Sequence, residues 1–210
     1  MALSIRPLAA HHRRDDFDCG VASLNEWLRN TAAQHRRKNI SVTHVLTDEA
    51  APGELIAYYA LSSCVVHSAE LPAALRKKLP LSVPGIKLGR LAVDLRHAGH
   101  GHGETMLLDA IVRAQQVSAQ IGVHALFVDA LDDGAARFYR RYGFTAFSDL
   151  PLTLFLPAQA ERSLKASASR PWRSVPSIAV RALPFEISFP GCPEGAPVAL
   201  SGRRVRPEDA

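Results

Sequence analysis

Three glycines at alternate positions, Gly99, Gly101 and Gly103, follow a short apolar segment that ends near Leu95. Because glycine has no Cβ, its backbone adopts angles that other residues avoid, and a ligand can come close to it. A helical pattern of apolar residues follows from Thr105. A glycine-rich turn that opens a helix presents free N–H groups to an anion, usually a phosphate, and the helix dipole adds to the attraction. The stretch therefore predicts a site for a nucleotide-type cofactor.

The glycine spacing does not fit two common nucleotide motifs. The dinucleotide fingerprint is Gly-x-Gly-x-x-Gly near the start of a βαβ unit, with an acidic residue about 20 residues further on. Here the spacing is Gly-x-Gly-x-Gly in the middle of the chain. A P-loop ends in Gly-Lys-Ser or Gly-Lys-Thr, whereas Gly103 is followed by Glu104 and Thr105.

A second motif follows the apolar stretch 124–131. Residues 135–144 read Ala-Ala-Arg-Phe-Tyr-Arg-Arg-Tyr-Gly-Phe. This segment resembles the A-x-x-F-Y-x-x-x-G-F ending of the GNAT N-acetyltransferases, and the glycine turn resembles their acetyl-CoA loop. The resemblance implies an α/β fold with a mixed sheet, the GNAT acyl-CoA N-acyltransferase fold, in the order β-α-α-β-β-β-α-β-α-β-β.

Other segments resemble one subgroup of that family, the acetyltransferase toxins of bacterial toxin–antitoxin pairs. Residues 17–28 (Phe-Asp-Cys-Gly-Val-Ala-Ser-Leu-Asn-Glu-Trp-Leu) are similar to their opening F-x-C-G-x-x-x-L-D-x-Y-L, and the blocks 87–94 and 152–157 match as well. The similarity covers roughly residues 3–160. It implies acetyl-CoA as co-substrate, an aminoacyl-tRNA as acceptor, a ribbon-helix-helix antitoxin as partner and a homodimer.

The resemblance also assigns roles to residues. It implies that backbone N–H groups near Leu91 to Val93 bind the acetyl oxygen, and that Tyr139 is the catalytic acid. A phenol with a pKa of about 10 stays protonated at neutral pH and can donate to the departing CoA sulfur; the structural alternative is that Tyr139 only packs. Phe138 is expected in the core as well. The predicted cofactor contacts are Leu91, Ala92, Val93, Arg96, His97, Gly99, His100, Gly101, His102, Gly103, Glu104, Asp132, Ala136 and Phe138.

One loop position departs from the family. Ala98 stands where the family usually has Gln or Arg, and Arg96 or the backbone is the candidate to cover that contact. The three loop histidines, His97, His100 and His102, raise the question of a metal. Alternating residues on a turn rarely converge on one ion, and no cysteine or carboxylate cluster lies beside them in the sequence. We therefore expect solvated histidines and no metal.

The composition predicts one domain with a full core. The chain has 210 residues, of which 47% are hydrophobic. We expect an acetyltransferase domain over residues 1–162. Residues 163–210 are rich in proline and arginine without a regular period, which predicts a disordered extension in which Trp172, Phe185 and Phe189 are candidates to dock on the domain.

The sequence also predicts the compartment. Cys19, Cys64 and Cys192 are odd in number and far apart, which is typical of a reducing cytoplasm. Cys19 is expected to pack rather than react. The first residues lack the apolar core of a signal peptide, and no apolar run approaches the roughly 20 residues that span a membrane. We therefore expect a cytoplasmic protein without membrane contact.

The charge balance is compatible with a polyanionic partner. The chain carries 25 basic and 20 acidic side chains, a net charge of +5 and a pI near 9.4. Residues 34–38 form a basic cluster at the end of a predicted helix. Its cations could complement the dipole at the helix C-terminus or contact a nucleic acid, and we weigh the two explanations equally. The candidate contacts with the tRNA backbone, through charge rather than base reading, are Arg36, Arg37, Lys38, Arg76, Lys77, Lys78 and Arg90.

Three functions are compared. The α-amine of an aminoacyl ester is less basic than lysine, and no general base is evident, which favours a charged tRNA as acceptor. The alternatives are an acetyltransferase acting on a small amine or a protein lysine, and a non-catalytic module that no longer binds the cofactor, for which Ala98 is the hint.

Local patterns predict the elements that position these residues. The bounds of the helices and strands follow from apolar periodicity. Asp18 is the expected N-cap of the first helix, and Gly143 is the expected end of the last one. The helix after the glycine turn should bury the stripe Leu107, Ile111, Ala114, Ser118 and Ile121. We expect strands over 3–7, 41–47, 55–66, 86–94, 124–131, 144–147 and 152–156, and helices over 18–39 (broken at Gly20 or at Asn30-Thr31), 71–79, from 105 onward, and 133–142.

Overall fold

A mixed β-sheet runs through the part of the chain that the computed structural model describes, which is residues 2–72, 76, 79–147 and 149–158. Its strands pair in the order β1-β2-β3-β4-β5-β7-β6, with β4 and β5 parallel and the other neighbours antiparallel. The strands are β1 (Leu3–Pro7), β2 (Val42–Asp48), β3 (Ala57–His67), β4 (Ser82–Val93), β5 (Ala125–Asp129), β6 (Thr145–Ala146) and β7 (Thr153–Pro157).

Helices cover both faces of this sheet. On one face α1 (Ala22–Glu26) and α2 (Ala32–Arg37) pack with residues such as Tyr58 and Ala92, and on the other α3 (His102–Ser118) and α4 (Asp133–Arg141) pack with residues such as Tyr59. Alternate residues of β3 therefore serve opposite cores, as the two-residue period of a strand requires. The order of elements confirms the predicted fold.

Strands β4 and β5 separate after a short parallel ladder. Their pairing runs from Gly85 with Ala125 to Leu88 with Val128. The pairing of β4 with β3 shifts by one residue between Leu88 and Arg90, so Gly89 forms a bulge. Beyond it, β4 continues to Val93 beside β3. A gap thus opens between the two parallel strands on the side from which the glycine turn begins.

The first helical segment differs from the prediction. The N-cap of α1 is Val21, which makes no side-chain cap bond, so the prediction of Asp18 was wrong. The carboxylate of Asp18 accepts hydrogen bonds from the Gly20 N–H (2.8 Å) and the Asn25 side chain (2.7 Å) instead. A π-helical turn over Trp27–Thr31 joins α1 to α2 without leaving the helical conformation, so the segment contains a π-bulge where a break at Asn30-Thr31 was predicted.

The helix after the glycine turn is shorter at its end than expected. Leu107, Ile111 and Ala114 are buried, as predicted. The helix stops at Ser118, and Ile121 is 62% exposed, so the prediction that Ile121 extends the buried stripe was wrong. The helix begins at His102, within the glycine run itself.

Two predicted regions lie outside the described residues in whole or in part. The predicted helix over 71–79 lies partly there, although Arg76 is described, and the extension 163–210, with its candidate docking residues, lies there entirely. The helices that the structure does describe include none long and apolar enough to cross a membrane.

Candidate active site

The glycine turn joins β4 to α3 through left-handed backbone. Gly99 and Gly101 both have φ of 80°, and Gly101 is the N-cap of α3. A Cβ added at Gly101 would meet no atom within 4 Å, so glycine is needed there for its backbone angle, and the space above it is open. The first backbone bond of α3 runs from the Thr105 N–H to the Gly101 carbonyl, 3.1 Å. The N–H groups of residues 102–104 therefore precede the helical ladder and can bind an anion.

The three histidines lie close together around this turn. The rings of His100 and His102 stack with centroids 5.9 Å apart, and those of His97 and His102 are 6.4 Å apart. Burial, together with the two neighbouring imidazoles, lowers the pKa of His102. Among the described residues, no group of three or more His, Cys, Asp or Glu side chains is placed to hold a metal ion.

Arg96, a predicted cofactor contact, pairs with two carboxylates of the protein itself. Its guanidinium binds both carboxylate oxygens of Asp94 (2.8 and 2.9 Å) and Oε1 of Glu54 (3.0 Å). Burial opposes the ionisation of Asp94, but hydrogen bonds from Arg96 and from the Asp18 N–H outweigh it, and the pKa of Asp94 lies below its usual value. A contact between Arg96 and the cofactor would compete with this network. The main-chain N–H groups of the turn are therefore the simpler replacement for the Gln or Arg side chain that the family usually has at the position of Ala98.

Tyr139 lies on α4, which the side chain of Asp132 caps by accepting the Ala135 N–H (2.8 Å). The ring is 6% exposed and packs against Phe138 and Phe144, with centroid distances of 5.3 and 5.6 Å. Burial raises the pKa of Tyr139, and the charge of Asp129 adds to this shift. The packing of the ring agrees with a structural role for Tyr139. The raised pKa keeps the phenol protonated, which a catalytic acid requires.

The predicted acetyl-oxygen donors border the gap between β4 and β5, and the buried α4 residues belong to the same core. Leu91, Ala92 and Val93 form the part of β4 that extends beyond the β5 ladder. Ala136, Phe138 and Tyr139 are buried on α4, and all three share a core with Leu91 and Val93. Main-chain amides of β4 thus border the gap, and Asp129, at the end of β5, is near enough for its charge to act on the Tyr139 phenol. This combination suits acyl transfer, which needs a polarised carbonyl and an acid for the leaving group.

The comparison with family models decides the identity. Residues 9–144 match the model described as "Acetyltransferase (GNAT) family". The chain belongs to the GNAT acetyltransferase family. A "tRNA-acetylating toxin" of Mycobacterium tuberculosis (strain ATCC 25618 / H37Rv) is 36% identical over 148 residues, which are 70% of this chain and 87% of the relative.

Solved structures of toxins share the fold of this acetyltransferase. AtaT complexed with acetyl-methionyl-tRNAfMet has a TM-score of 0.69 and 31% identity, over 74% of this chain and 95% of AtaT. A tyrosine-to-phenylalanine mutant of the AtaT toxin, bound to the C-terminus of the antitoxin AtaR and acetyl-CoA, has a TM-score of 0.65 and 27% identity, over 80% of this chain and 99% of the other.

The predicted basic residues of this acetyltransferase fall into two groups. Three exposed residues at the end of α2, Arg36, Arg37 and Lys38, form the α2 cluster. In it, Arg36 Nη1 donates to the Leu8 carbonyl (3.0 Å). Arg90 lies over the Trp27 ring, 4.2 Å from its centroid, and its charge helps to lower the pKa of His35, after the larger effect of burial. Arg90 therefore borders the α2 cluster. Arg76 is exposed, whereas Lys77 and Lys78 lie outside the described residues.

Sequence reasoning missed two features of this acetyltransferase. Arg137, Arg140 and Arg141 are exposed on α4, the helix of Tyr139. Their spacing of three and four residues was visible in the motif itself and indicates a shared face. The second feature is the ion pair between Lys87 and Asp129. No local signal could have revealed it, because the pairing of β4 with β5 alone brings the two residues together.

Proposed function

We propose that this chain is an acetyl-CoA-dependent N-acetyltransferase that acetylates the α-amine of an aminoacyl-tRNA and thereby blocks translation. The observation that carries the proposal is that Tyr139 is buried in the same core as Leu91 and Val93 and that its raised pKa keeps it protonated. The likeness to AtaT, solved with acetyl-methionyl-tRNAfMet, supports the choice of acceptor.

The chemistry follows from the residues at the gap. The N–H groups of residues 102–104 hold the diphosphate of acetyl-CoA. An N–H within Leu91–Val93 donates to the acetyl oxygen, and a preorganised donor of this kind contributes about 3 kcal/mol to transition-state stabilisation. The neutral amine attacks the carbonyl carbon, a C–N bond forms and the C–S bond breaks. Tyr139 donates its proton to the departing sulfur, the amine nitrogen loses one proton to solvent, and solvent reprotonates the phenol.

The acceptor is bound by charge beside this gap. The α2 cluster and Arg90 lie on the face of the sheet opposite to α3 and α4, and they contact the phosphates of the tRNA. The amine of the aminoacyl ester needs no strong base, because it is less basic than that of lysine. Transfer to a small amine or to a protein lysine, with charged tRNA unmodified, is the alternative outcome.

The proposal includes partners. A ribbon-helix-helix antitoxin neutralises the enzyme, in line with the AtaT structure that contains the C-terminus of AtaR. The enzyme forms a homodimer in the cytoplasm, where its substrate is found. A groove between α3 and the sheet exposes Ile40, Val42, Val65, Val117 and Ile121 by 39–65%, and a second copy would bury them. Light scattering of the wild type and of Val65→Asp tests this: a dimer that Val65→Asp dissociates is expected, and a wild-type monomer contradicts the homodimer.

Expression in a bacterium that lacks the antitoxin tests the function. The wild type should arrest growth, and Tyr139→Phe at the same protein level should not. Full toxicity of the variant would contradict the role of Tyr139, and a harmless, folded wild type would contradict the function.

A further inference from the structure

A row of arginines covers the outer face of α4. Arg137, Arg140 and Arg141 are all exposed, and residues three and four apart on a helix are neighbours. Together with Gly134 and Phe138 they line an open cleft of about 490 Å³. A basic surface of this kind was not among the predicted tRNA contacts.

The arginines of this row form no ion pair within the described part of the chain. Arg141 lies over the Phe138 ring, 5.5 Å from its centroid, and Arg140 Nη2 donates to the Pro151 carbonyl at 3.3 Å. The ion pairs among the described residues involve other arginines and one lysine. The exposed carboxylates of Asp132 and Asp133 begin the same helix without pairing with the row. Three adjacent guanidinium groups that form no ion pair with these acids are suited to an external anion.

The row lies next to the reaction centre. Tyr139 is on the inner side of the same helix. Just beyond the helix, burial and then the charge of Glu104, which lies at the start of α3, raise the pKa of Tyr142; this end of α4 is therefore near the glycine turn. The α2 cluster packs on the opposite face of the sheet. A macromolecule whose reactive end reaches Tyr139 would therefore meet basic residues on two sides.

We propose that Arg137, Arg140 and Arg141 bind the sugar–phosphate backbone of the tRNA acceptor end. This inference rests on the proposed function. Guanidinium groups bind phosphate through two parallel hydrogen bonds and remain charged at all relevant pH values. The 3′-phosphate of CoA offers the same chemistry, but it is one group, whereas three exposed arginines along the helix match the repeated phosphates of a nucleic acid. The RNA is therefore the assigned ligand.

The test compares two triple variants of the full-length protein. One replaces Arg137, Arg140 and Arg141 with glutamine, and its matched control replaces them with lysine, which keeps the charge. The affinity for uncharged tRNA is measured over a series of salt concentrations. Each phosphate contact contributes about 0.7–0.9 to the slope of log affinity against log salt. The glutamine variant should bind more weakly with a shallower slope, and the lysine variant should keep the wild-type slope. Equal slopes for the wild type and the glutamine variant would overturn the proposal.

A second arm distinguishes the two sources of phosphate. The affinities of the same proteins for CoA and for dephospho-CoA are measured by calorimetry. The affinity for CoA and the affinity for dephospho-CoA should each be the same in the glutamine variant as in the wild type. A loss for CoA alone, with unchanged tRNA binding, would assign the row to the CoA 3′-phosphate and overturn the proposal.

Different experimental results would contradict the arginine row and the proposed function. A wild type that does not acetylate charged tRNA contradicts the function. A wild type that does, beside a glutamine variant with unchanged tRNA affinity and salt slope, contradicts the arginine row alone. The unfolding midpoint of each variant, expected to match the wild type because the row is exposed, shows that the fold is kept.

Discussion

Lys87 Nζ lies 2.5 Å from Oδ2 of Asp129, across the end of the parallel ladder between β4 and β5. The two side chains are 15% and 5% exposed. A buried ion pair costs so much desolvation that it adds little net stability, yet loss of one partner leaves an uncompensated charge. The pair lies where the two strands diverge, and the charge of Asp129 helps to raise the pKa of Tyr139.

Asp129→Asn should destabilise the fold by about 3–5 kcal/mol, because the buried Lys87 ammonium loses the Asp129 carboxylate. The double variant Lys87→Met/Asp129→Leu removes both charges and should cost less than Asp129→Asn. Urea unfolding measures both. A double variant that is less stable than the single one would show that the pair contributes more than charge compensation.

Tyr139→Phe should reduce kcat by about 10²–10⁴-fold, the usual contribution of a general acid. The KM for acetyl-CoA and the melting temperature should stay close to the wild-type values, because the aromatic packing is kept. Steady-state kinetics with charged tRNA measures the effect. Phe138→Leu is the control for packing alone, and it should lower stability more than Tyr139→Phe does. An unchanged kcat in Tyr139→Phe would leave the phenol with a structural role.

Stability should fall in mild acid because of His44. Burial is the largest cause that lowers the pKa of His44 to about 4, and its ring stacks on Tyr59. As the pH falls, the unfolded chain takes up the histidine proton near pH 6.5, whereas the folded chain takes it up only near pH 4. The free energy of unfolding that the neutral His44 contributes is therefore complete above pH 6.5 and is lost as the pH falls through 4. The shift corresponds to about 3 kcal/mol at most. Urea unfolding at pH 7 and pH 4.5 measures the loss.

Two variants identify the source of that acid sensitivity. His44→Phe keeps an aromatic ring on Tyr59 and should lose less stability between the two pH values than the wild type. His67→Phe changes an exposed imidazole and leaves His44 in place, so it should keep the full loss. An equal loss in the wild type and His44→Phe would place the acid-sensitive group elsewhere.

Gly101→Ala should weaken acetyl-CoA binding and destabilise the fold by about 1–2 kcal/mol, because a φ of 80° is strained for any residue with a Cβ. Steric clash is not the cause, since the space around the added atom is open. Gly122→Ala is the matched control, because its added Cβ also meets nothing and its φ is not in the left-handed region. Calorimetry with acetyl-CoA and thermal unfolding measure the two effects. Equal behaviour of the two variants would contradict a special role for Gly101.

The order of elements could be predicted because each has a local pattern, whether apolar alternation or a helical stripe closed by a residue such as Gly143. The errors lie at element ends. Ile121 continues the spacing of the α3 stripe, but the helix has already ended at Ser118. Asp18 is a suitable N-cap residue, but Gly20, with a φ of 81°, turns the chain before the helix begins.

Long-range pairing accounts for the features of the site that the sequence did not predict. Arg96 was expected near the cofactor because it lies beside the glycines, yet Glu54, far away in the sequence, shares it with Asp94. In the same way, Asp129 meets Lys87 only through the register of β4 with β5. Residue type and spacing could thus locate the glycine turn, but not the ion pairs of Arg96 and Lys87.

Incubation of the purified wild type with labelled acetyl-CoA and a pool of aminoacylated tRNA tests the central claim most directly. After ribonuclease digestion, mass spectrometry should find N-acetyl-aminoacyl-adenosine, and neither Tyr139→Phe nor deacylated tRNA should give appreciable product. Label found on protein lysines or on small amines, with the aminoacyl-adenosines unmodified, would contradict the account.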